Sequence, residues 1–385
     1  MATPAIELTA AQHAATMSGY MRDGEQRARE LGNRGPIRFD DNGEIHPEIL
    51  DEYWRCGFYV FEGVFGEAEI DELRADVDRV LAGAPVEPGA SVDKHGRPAI
   101  GSEFARPSFR FGAPLSDPVG GTSKNKGRHP VKMLEPVPAA DAPKHVVARI
   151  MGNLQLMDSC LRLYGHHGLL SVAAAVNGKD FVPYNEVTFV KEPRLGVSIA
   201  WHRDGTTHWD APDWDQGAHG FNYMAQLYPS TAANGVWVLP GSHKIKDMDI
   251  PALVRDSGSE RIEGAVPMVC AAGDVVISNR QLVHGSFANT SPDRRITLNM
   301  GFFPRKRIEN VTVTPLEGDV VTYDAERIAQ RTRMIAVGID ARQQRFSNEP
   351  RYVYEPLLGK EDENRWNEHT RESVVKNYGV RDFYI

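Results

Sequence analysis

Between residues 185 and 302 the chain is cut into short runs rich in β-branched and aromatic residues, each bounded by Gly, Pro or Asn. Asn185-Glu-Val-Thr-Phe-Val190, Gly196-Val-Ser-Ile-Ala-Trp201, Gly235-Val-Trp-Val-Leu239, Asp274-Val-Val-Ile-Ser278 and Arg295-Ile-Thr-Leu-Asn-Met-Gly-Phe302 are the clearest. Runs of this length and punctuation read as strands. Helical patterns precede them. From Pro47 to about Leu81 the order is helix, strand, helix: Cys56-Gly-Phe-Tyr-Val-Phe61 is β-favouring, and Ile70, Leu73, Val77, Val80 and Leu81 follow at helical spacing. A second amphipathic helix is expected from about Lys144 to Tyr164, where Val147, Ile150, Met151, Leu154, Met157 and Leu161 share one side, and from Gly165 the signal turns to strands. Many short strands after helices imply a sheet sandwich or barrel with helices packed outside.

This divides the chain into a polar lead-in (1–46), a main domain (47–305) carrying a loop-rich insertion at 82–143, and a C-terminal extension (306–385) packed on the same domain. With 385 residues the core needs no disulfides. Cys56, Cys160 and Cys270 are odd in number and widely spaced, so neither a disulfide framework nor a cysteine metal site is expected. A net charge of −8 disfavours a nucleic-acid partner. No apolar run reaches membrane-spanning length, and the first residues lack the basic-then-apolar pattern of a signal peptide, so no membrane partner is expected and the cytoplasm is the expected compartment.

Gly196–Gly205 ends a strand with His202 and Asp204, two residues apart and therefore on one face. Eighty residues after Asp204, His284 closes another strand region. Two imidazoles and one carboxylate on one face of an octahedron leave three positions open, the arrangement of Fe(II) oxygenases that bind a 2-oxoacid and O2. A chain with 13 histidines produces H-x-D pairs by chance, and His208-Trp-Asp210 is a second, with His46-Pro-Glu48 as an H-x-E. Only His202 and Asp204 close a strand. Arg295 starts the alternating strand that ends at Phe302, and its guanidinium suits the distal carboxylate of 2-oxoglutarate. Alternation puts Arg295, Thr297 and Asn299 on one face and Arg294, Ile296, Leu298, Met300 and Phe302 on the other. The apolar face should meet the helices, which turns Arg295 inward.

Four motifs in order, Lys191-Glu-Pro193 with Trp201-His-Arg-Asp204, Asn234-Gly-Val-Trp-Val-Leu-Pro-Gly-Ser-His243, Gly273-Asp-Val-Val, and His284-Gly-Ser286 with Arg295, resemble the phytanoyl-CoA dioxygenase family of Fe(II)/2-oxoglutarate oxygenases, which includes ectoine hydroxylases. The resemblance covers about residues 47–82 and 144–303. It implies an all-β core with flanking helices: a double-stranded β-helix, or jelly roll, with helices packed on its major sheet. Carried over by position, it implies a metal triad of His202, Asp204 and His284, with Arg295 on 2-oxoglutarate, Ser286 near the same carboxylate, and Lys191 and Tyr223 also contacting the cosubstrate. Tyr223 stands where a tryptophan is expected. Asn185 and Trp201 are assigned to substrate, and Pro240-Gly-Ser-His243 to a structural turn.

The expected activity is a 2-oxoglutarate-dependent dioxygenase that hydroxylates an unactivated C–H of a small molecule, using Fe(II), 2-oxoglutarate and O2 and releasing succinate and CO2. A zinc-type metallohydrolase on the same triad and a non-catalytic jelly-roll binding protein are the alternatives. Basic residues between 98 and 132 hint at an anionic substrate, though a solvated loop would read the same way. Either a monomer or a homo-oligomer is compatible with the sequence.

Overall fold

The computed structural model describes residues 8–104, 106–314, 320–376 and 378. Twelve strands build two sheets. They are β1 (Arg34–Gly35), β2 (Phe58–Phe61), β3 (Phe109–Gly112), β4 (Val146–Met151), β5 (Val182–Lys191), β6 (Ile199–His202), β7 (Phe221–Gln226), β8 (Trp237–Val238), β9 (Val266–Pro267), β10 (Val275–Asn279), β11 (His284–Ser286) and β12 (Arg295–Phe303). The helices are α1 (Ala10–Glu30), α2 (Pro47–Cys56), α3 (Glu67–Ala82), α4 (Asn153–Leu156), α5 (Asp158–Leu163), α6 (His167–Asn177), α7 (Ile250–Asp256) and α8 (Ala325–Arg345). The major sheet runs β1-β2-β10-β7-β12-β5-β4-β3 and the minor sheet β6-β11-β8-β9. Facing each other, they make the jelly roll with its cavity between them.

Alternation along β12 sets the layering. Ile296, Leu298, Met300 and Phe302 join Tyr223, Ile70, Leu73, Val77, Leu169, Leu170, Met334 and Ile335 in one core, so α3, α6 and α8 cover the outward face of the major sheet. Burying this many large apolar side chains, each worth roughly 1.5–3 kcal/mol, is the main force holding the helices to the sheet. Arg295 and Asn299 point the other way, into the cavity.

Local chemistry fixes the element ends. Pro47 opens α2, and Gly57 ends it in the left-handed region with φ 85°. A Cβ there would also lie 2.6 Å from Nδ1 of His243, so both the conformation and the packing demand glycine. The helix–strand–helix expected from Pro47 is present as α2, β2 and α3.

Three expectations need correction. The lead-in is not a plain polar tail: Thr9 and Gln12 form a capping box that starts α1, and α1 lays Tyr20 on Trp237 of the minor sheet, rings stacked 4.4 Å apart. The helix expected from Lys144 begins instead as β4, whose burial alternates along Val146–Met151; Gly152, at φ 77°, then turns the chain into the short α4 and α5. After Gly165 a helix, α6, comes before any strand. Its run Leu169-Leu-Ser-Val-Ala-Ala-Ala-Val176, apolar but for Ser171, lacks the polar face that would have marked it. The last residues, Asp382-Phe-Tyr-Ile385 with their two aromatic rings, lie outside the described residues.

Candidate active site

The register of the minor sheet sets His284 of β11 directly opposite His202 of β6. Opposed side chains on one sheet face are close neighbours, and the two ring centroids stand 4.1 Å apart. Past His202 the strand ends, and the backbone N–H of Asp204 donates to the Arg280 carbonyl at 2.8 Å, which holds the carboxylate on the same side. Its Oδ1 is 3.5 Å from Nε2 of His202 and its Oδ2 is 4.0 Å from Nε2 of His284. One donor atom from each residue falls within 4.8 Å of the others.

Protonation is arranged for a metal. Nδ1 of His202 and of His284 each lies 2.9 Å from a carbonyl two residues earlier, Ala200 and Leu282. A carbonyl only accepts, so Nδ1 carries the proton and Nε2 turns its lone pair toward the common point. Burial, then the neighbouring His284, pushes the His202 pKa down to about 4, which keeps the ring neutral at pH 7. Burial alone would raise the Asp204 carboxyl; contact with the His202 ring and the nearby guanidiniums of Arg128 and Arg280 instead hold it well below the usual range. Asn222 steadies Oδ2 with an Nδ2–H bond of 3.0 Å.

The three side chains open onto a cavity of about 470 Å³ between the sheets. Arg295 reaches it from the major sheet, 1% exposed. One Nη donates to the Asn234 carbonyl at 2.9 Å while Nε has no partner among the described residues, and burial pulls the guanidinium pKa down to about 10. Ser286 lines the same cavity, and its buried Oγ is likewise without a partner. Buried polar atoms left unmatched at a cavity wall are uncommon and mark a place where a ligand would complete them. A 2-oxoacid fits: two neutral imidazoles and a carboxylate for iron, and a cation with a hydroxyl for the far carboxylate.

Other assigned residues stand elsewhere. Tyr223 faces the helix layer, where its hydroxyl donates to the Leu169 carbonyl at 2.6 Å, so it does not reach the cosubstrate; its neighbours Asn222 and Met224 line the cavity instead. Trp201 points to the outer side of the minor sheet, its Nε1–H bonded to the Glu260 carbonyl at 2.6 Å and its ring packed on Phe287, away from any substrate. Lys191 pairs with Arg295 across β5 and β12, but its Nζ donates to the Phe287 carbonyl and it is not part of the cavity wall. Asn185 lies in β5 with its side chain outside the described residues. Arg294 turns outward to Asp78 at 2.7 Å and Glu192 at 2.9 Å. Among the described residues the second H-x-D joins no metal-capable cluster: Asp210 is exposed, and Trp209 between the pair lies against the Arg203 guanidinium at 4.2 Å.

Sequence reasoning missed Asn222 and Arg280 beside Asp204, and two residues of the insertion. From the 82–143 insertion, Arg128 brings an Nη to 3.4 Å from Asp204 Oδ1, and His129, 2% exposed, stacks its ring 4.2 Å from that of His202. Burial, then the charges of His202 and Arg128, lowers the His129 pKa. They sit in a loop without periodicity: Arg128 was read only as one of the basic residues between 98 and 132, and nothing in the sequence singled out His129.

A short sheet bearing two imidazoles and a carboxylate, faced by a long sheet bearing a buried arginine, defines a jelly-roll protein with a facial-triad type of site. Residues 53–297 match the family described as phytanoyl-CoA dioxygenase (PhyH), and the chain belongs to that family, whose members are 2-oxoglutarate-dependent dioxygenases that use Fe(II). It is 30% identical over 118 residues to phytanoyl-CoA dioxygenase 1 of Oryza sativa subsp. japonica; the match spans 29% of this chain and only 40% of that relative. Similar solved structures include EctD from S. alaskensis with 2-oxoglutarate and 5-hydroxyectoine (18% identity, TM-score 0.46, 70% of this chain and 80% of that one). Another is the non-heme α-ketoglutarate-dependent epimerase SnoN from nogalamycin biosynthesis (15% identity, TM-score 0.45, 73% and 98%). No helix among the described residues is long and apolar enough to cross a membrane.

Proposed function

We propose that this chain is an Fe(II)- and 2-oxoglutarate-dependent hydroxylase acting on an unactivated C–H of a small molecule. The observation that carries the reading is Arg295, a buried guanidinium with an unmatched Nε on the same cavity as the triad. A zinc hydrolase needs the triad but has no use for a buried anion-binding arginine beside it. In this reading residues 47–305 are the catalytic domain, 1–46 its lead-in and 306–385 a C-terminal extension, with α1 and α8 packed on the domain.

His202 and His284 would hold the iron through Nε2 and Asp204 through a carboxylate oxygen. Arg295 and Ser286 would grip the distal carboxylate of 2-oxoglutarate, fixing which end of the diacid faces the metal. Iron with 2-oxoglutarate, when bound, supplies the oxidising chemistry: O2 is consumed, the 2-oxoacid leaves as succinate and CO2, and one oxygen goes to the substrate. The protein's share is position and dryness. Asn222 keeps Asp204 oriented, and Val187, Phe189 and Met224 keep water from the reacting carbon.

The test is to load the protein with Fe(II) under argon, measure 2-oxoglutarate binding by calorimetry, then admit air with a metabolite extract. Succinate together with a metabolite heavier by one oxygen is the expected result. Binding without succinate from any extract would leave a binding protein, and absence of 2-oxoglutarate binding with zinc-dependent hydrolysis would leave a hydrolase.

A further inference from the structure

The cavity runs past the triad to the edge of the major sheet. There β3 and β4 set Arg110 directly opposite Arg149, both half-buried and both on the cavity wall. The same row continues across the sheet: Arg149 pairs with Phe189, Phe189 with Thr297, and Thr297 with Gln226. Strands repeat about every 4.8 Å, so Arg149 stands roughly 10 Å from Thr297 across the sheet, with Phe189 between. Arg295 is a further two residues along β12. The wall therefore carries two separate cationic stations. A 2-oxoglutarate bound at the triad and anchored on Arg295 has no charge left for the second.

Charge on the rest of the wall has the same sign. Lys124, Arg128 and Arg280 join Arg110, Arg149 and Arg295, against one carboxylate, Asp204, among the described lining residues. This contrasts with a chain whose net charge is −8. A cleft of one sign with low-dielectric walls concentrates ligands of the other sign, and paired guanidinium forks match the planar or tetrahedral oxygens of a carboxylate or phosphate. Between the two stations the surface is apolar, formed by Val187 and Phe189 of β5.

We infer that the substrate is a small organic anion, its carboxylate or phosphate held between Arg110 and Arg149 and its apolar body lying along Val187 and Phe189 toward the triad. This rests on the oxygenase reading above and adds to it the chemical class of the substrate.

Hexanoate, hexyl phosphate, hexylammonium and 1-hexanol share one chain and differ in head charge. Each is titrated by calorimetry into full-length protein loaded with Ni(II) and 2-oxoglutarate, and 2-oxoglutarate binding is measured on the same samples. The two anions should bind about ten-fold or more tightly than the cation and the alcohol, and the better of the two tells carboxylate from phosphate. Arg149→Gln and Arg110→Gln should each weaken the anions by about ten-fold or more, while 2-oxoglutarate affinity changes less than about three-fold. Arg149→Lys, which keeps the charge and loses the fork, should fall between. Equal binding of hexylammonium, or glutamine variants that hold the anions as tightly as the parent, would overturn the inference, and the wild-type series decides it even where a variant fails to fold. If 2-oxoglutarate does not bind while hexanoate does, the oxygenase reading falls and the anion site stands; the reverse result sinks only the inference.

Discussion

In the major sheet the nine residues of β12 are all buried, and the strand pairs with β5 on one side and β7 on the other, whereas in the minor sheet β6 has four residues, β11 three, and β8 and β9 two each. The first is held by its own backbone ladder and by the helices behind it. The second depends on side chains: Phe287 sets its edge against Trp201 and Trp237, and α1 lays Tyr20 over the same indole. The metal ligands thus stand on the sheet with little backbone pairing of its own, and the cosubstrate arginine on the one with a long ladder. Damage to the two should therefore be separable.

The largest effect is expected on the minor sheet. His202→Ala, Asp204→Ala and His284→Ala should each abolish iron retention and coupled turnover, while His208→Ala and Asp210→Ala leave iron bound; metal content of the purified variants decides it, and the opposite pattern would assign the wrong triad. On the major sheet, Arg295→Ala removes a charge-assisted contact worth roughly 2–4 kcal/mol, so the 2-oxoglutarate KM should rise by about ten-fold or more with iron content unchanged.

Gly24 of α1 is a sharper probe of the supported sheet. A Cβ there would lie 2.5 and 2.6 Å from atoms of the Trp237 ring, an overpacking of about 1–3 kcal/mol. Gly24→Ala should weaken iron binding more than Ile70→Val behind the major sheet, a change of about 0.5–1.5 kcal/mol. Equal loss of iron affinity at equal loss of stability would erase the contrast between the sheets.

Acid should act on the same side. Burial, foremost, pushes His202, His219 and His243 each down to about 4, and His219 and His243 both bond to Gln281 in the turn before His284, by side chain and by backbone. As pH falls from 6.5 toward 4 the unfolded chain takes up protons that the folded chain refuses, so the stability these rings contribute is full above 6.5 and lost on acidification. The loss is about 1–2 kcal/mol per histidine by pH 5. Urea titrations of the metal-free protein at pH 7, 6 and 5, followed by tryptophan fluorescence, would show it as a falling midpoint; a midpoint that rises with acid would contradict neutral buried rings.

The smallest effect belongs to Arg294. Its pairs with Asp78 and Glu192 lie near the surface and are worth about 0.5–1 kcal/mol, so Arg294→Ala should lower the melting temperature slightly and change the 2-oxoglutarate KM less than about three-fold. A larger KM effect here than at Arg295 would mean that the inward face of β12 is misassigned.

What the sequence revealed follows from these same contrasts. β12 shows a polar and an apolar face, so alternation alone turned Arg295 inward and Arg294 out. β7, Phe221-Asn-Tyr-Met-Ala-Gln226, is buried throughout and presents no simple alternation; it went unread, and with it the fact that Tyr223 and Asn222 face opposite layers. Val147, Ile150, Met151 and Leu154 fall at helical spacing by accident of a strand running into a helix, and period alone could not separate them. Trp201 and His202 are chain neighbours on opposite faces of one strand, so a motif that contains both says nothing of which one meets a ligand. Arg128 and His129 reach the triad by tertiary folding of a loop, for which no local signal exists.

The opposition of His202 and His284 in the minor sheet has a consequence for how the molecule matures. With strands this short, few hydrogen bonds distinguish the native pairing from one displaced by a single residue, yet such a slip would send one imidazole to the opposite face. A displaced chain offers at most two of the three donors. Metal capture would therefore act as a proofreading step, withdrawing correctly assembled molecules from a pool of near-misses and leaving the rest exposed to proteolysis.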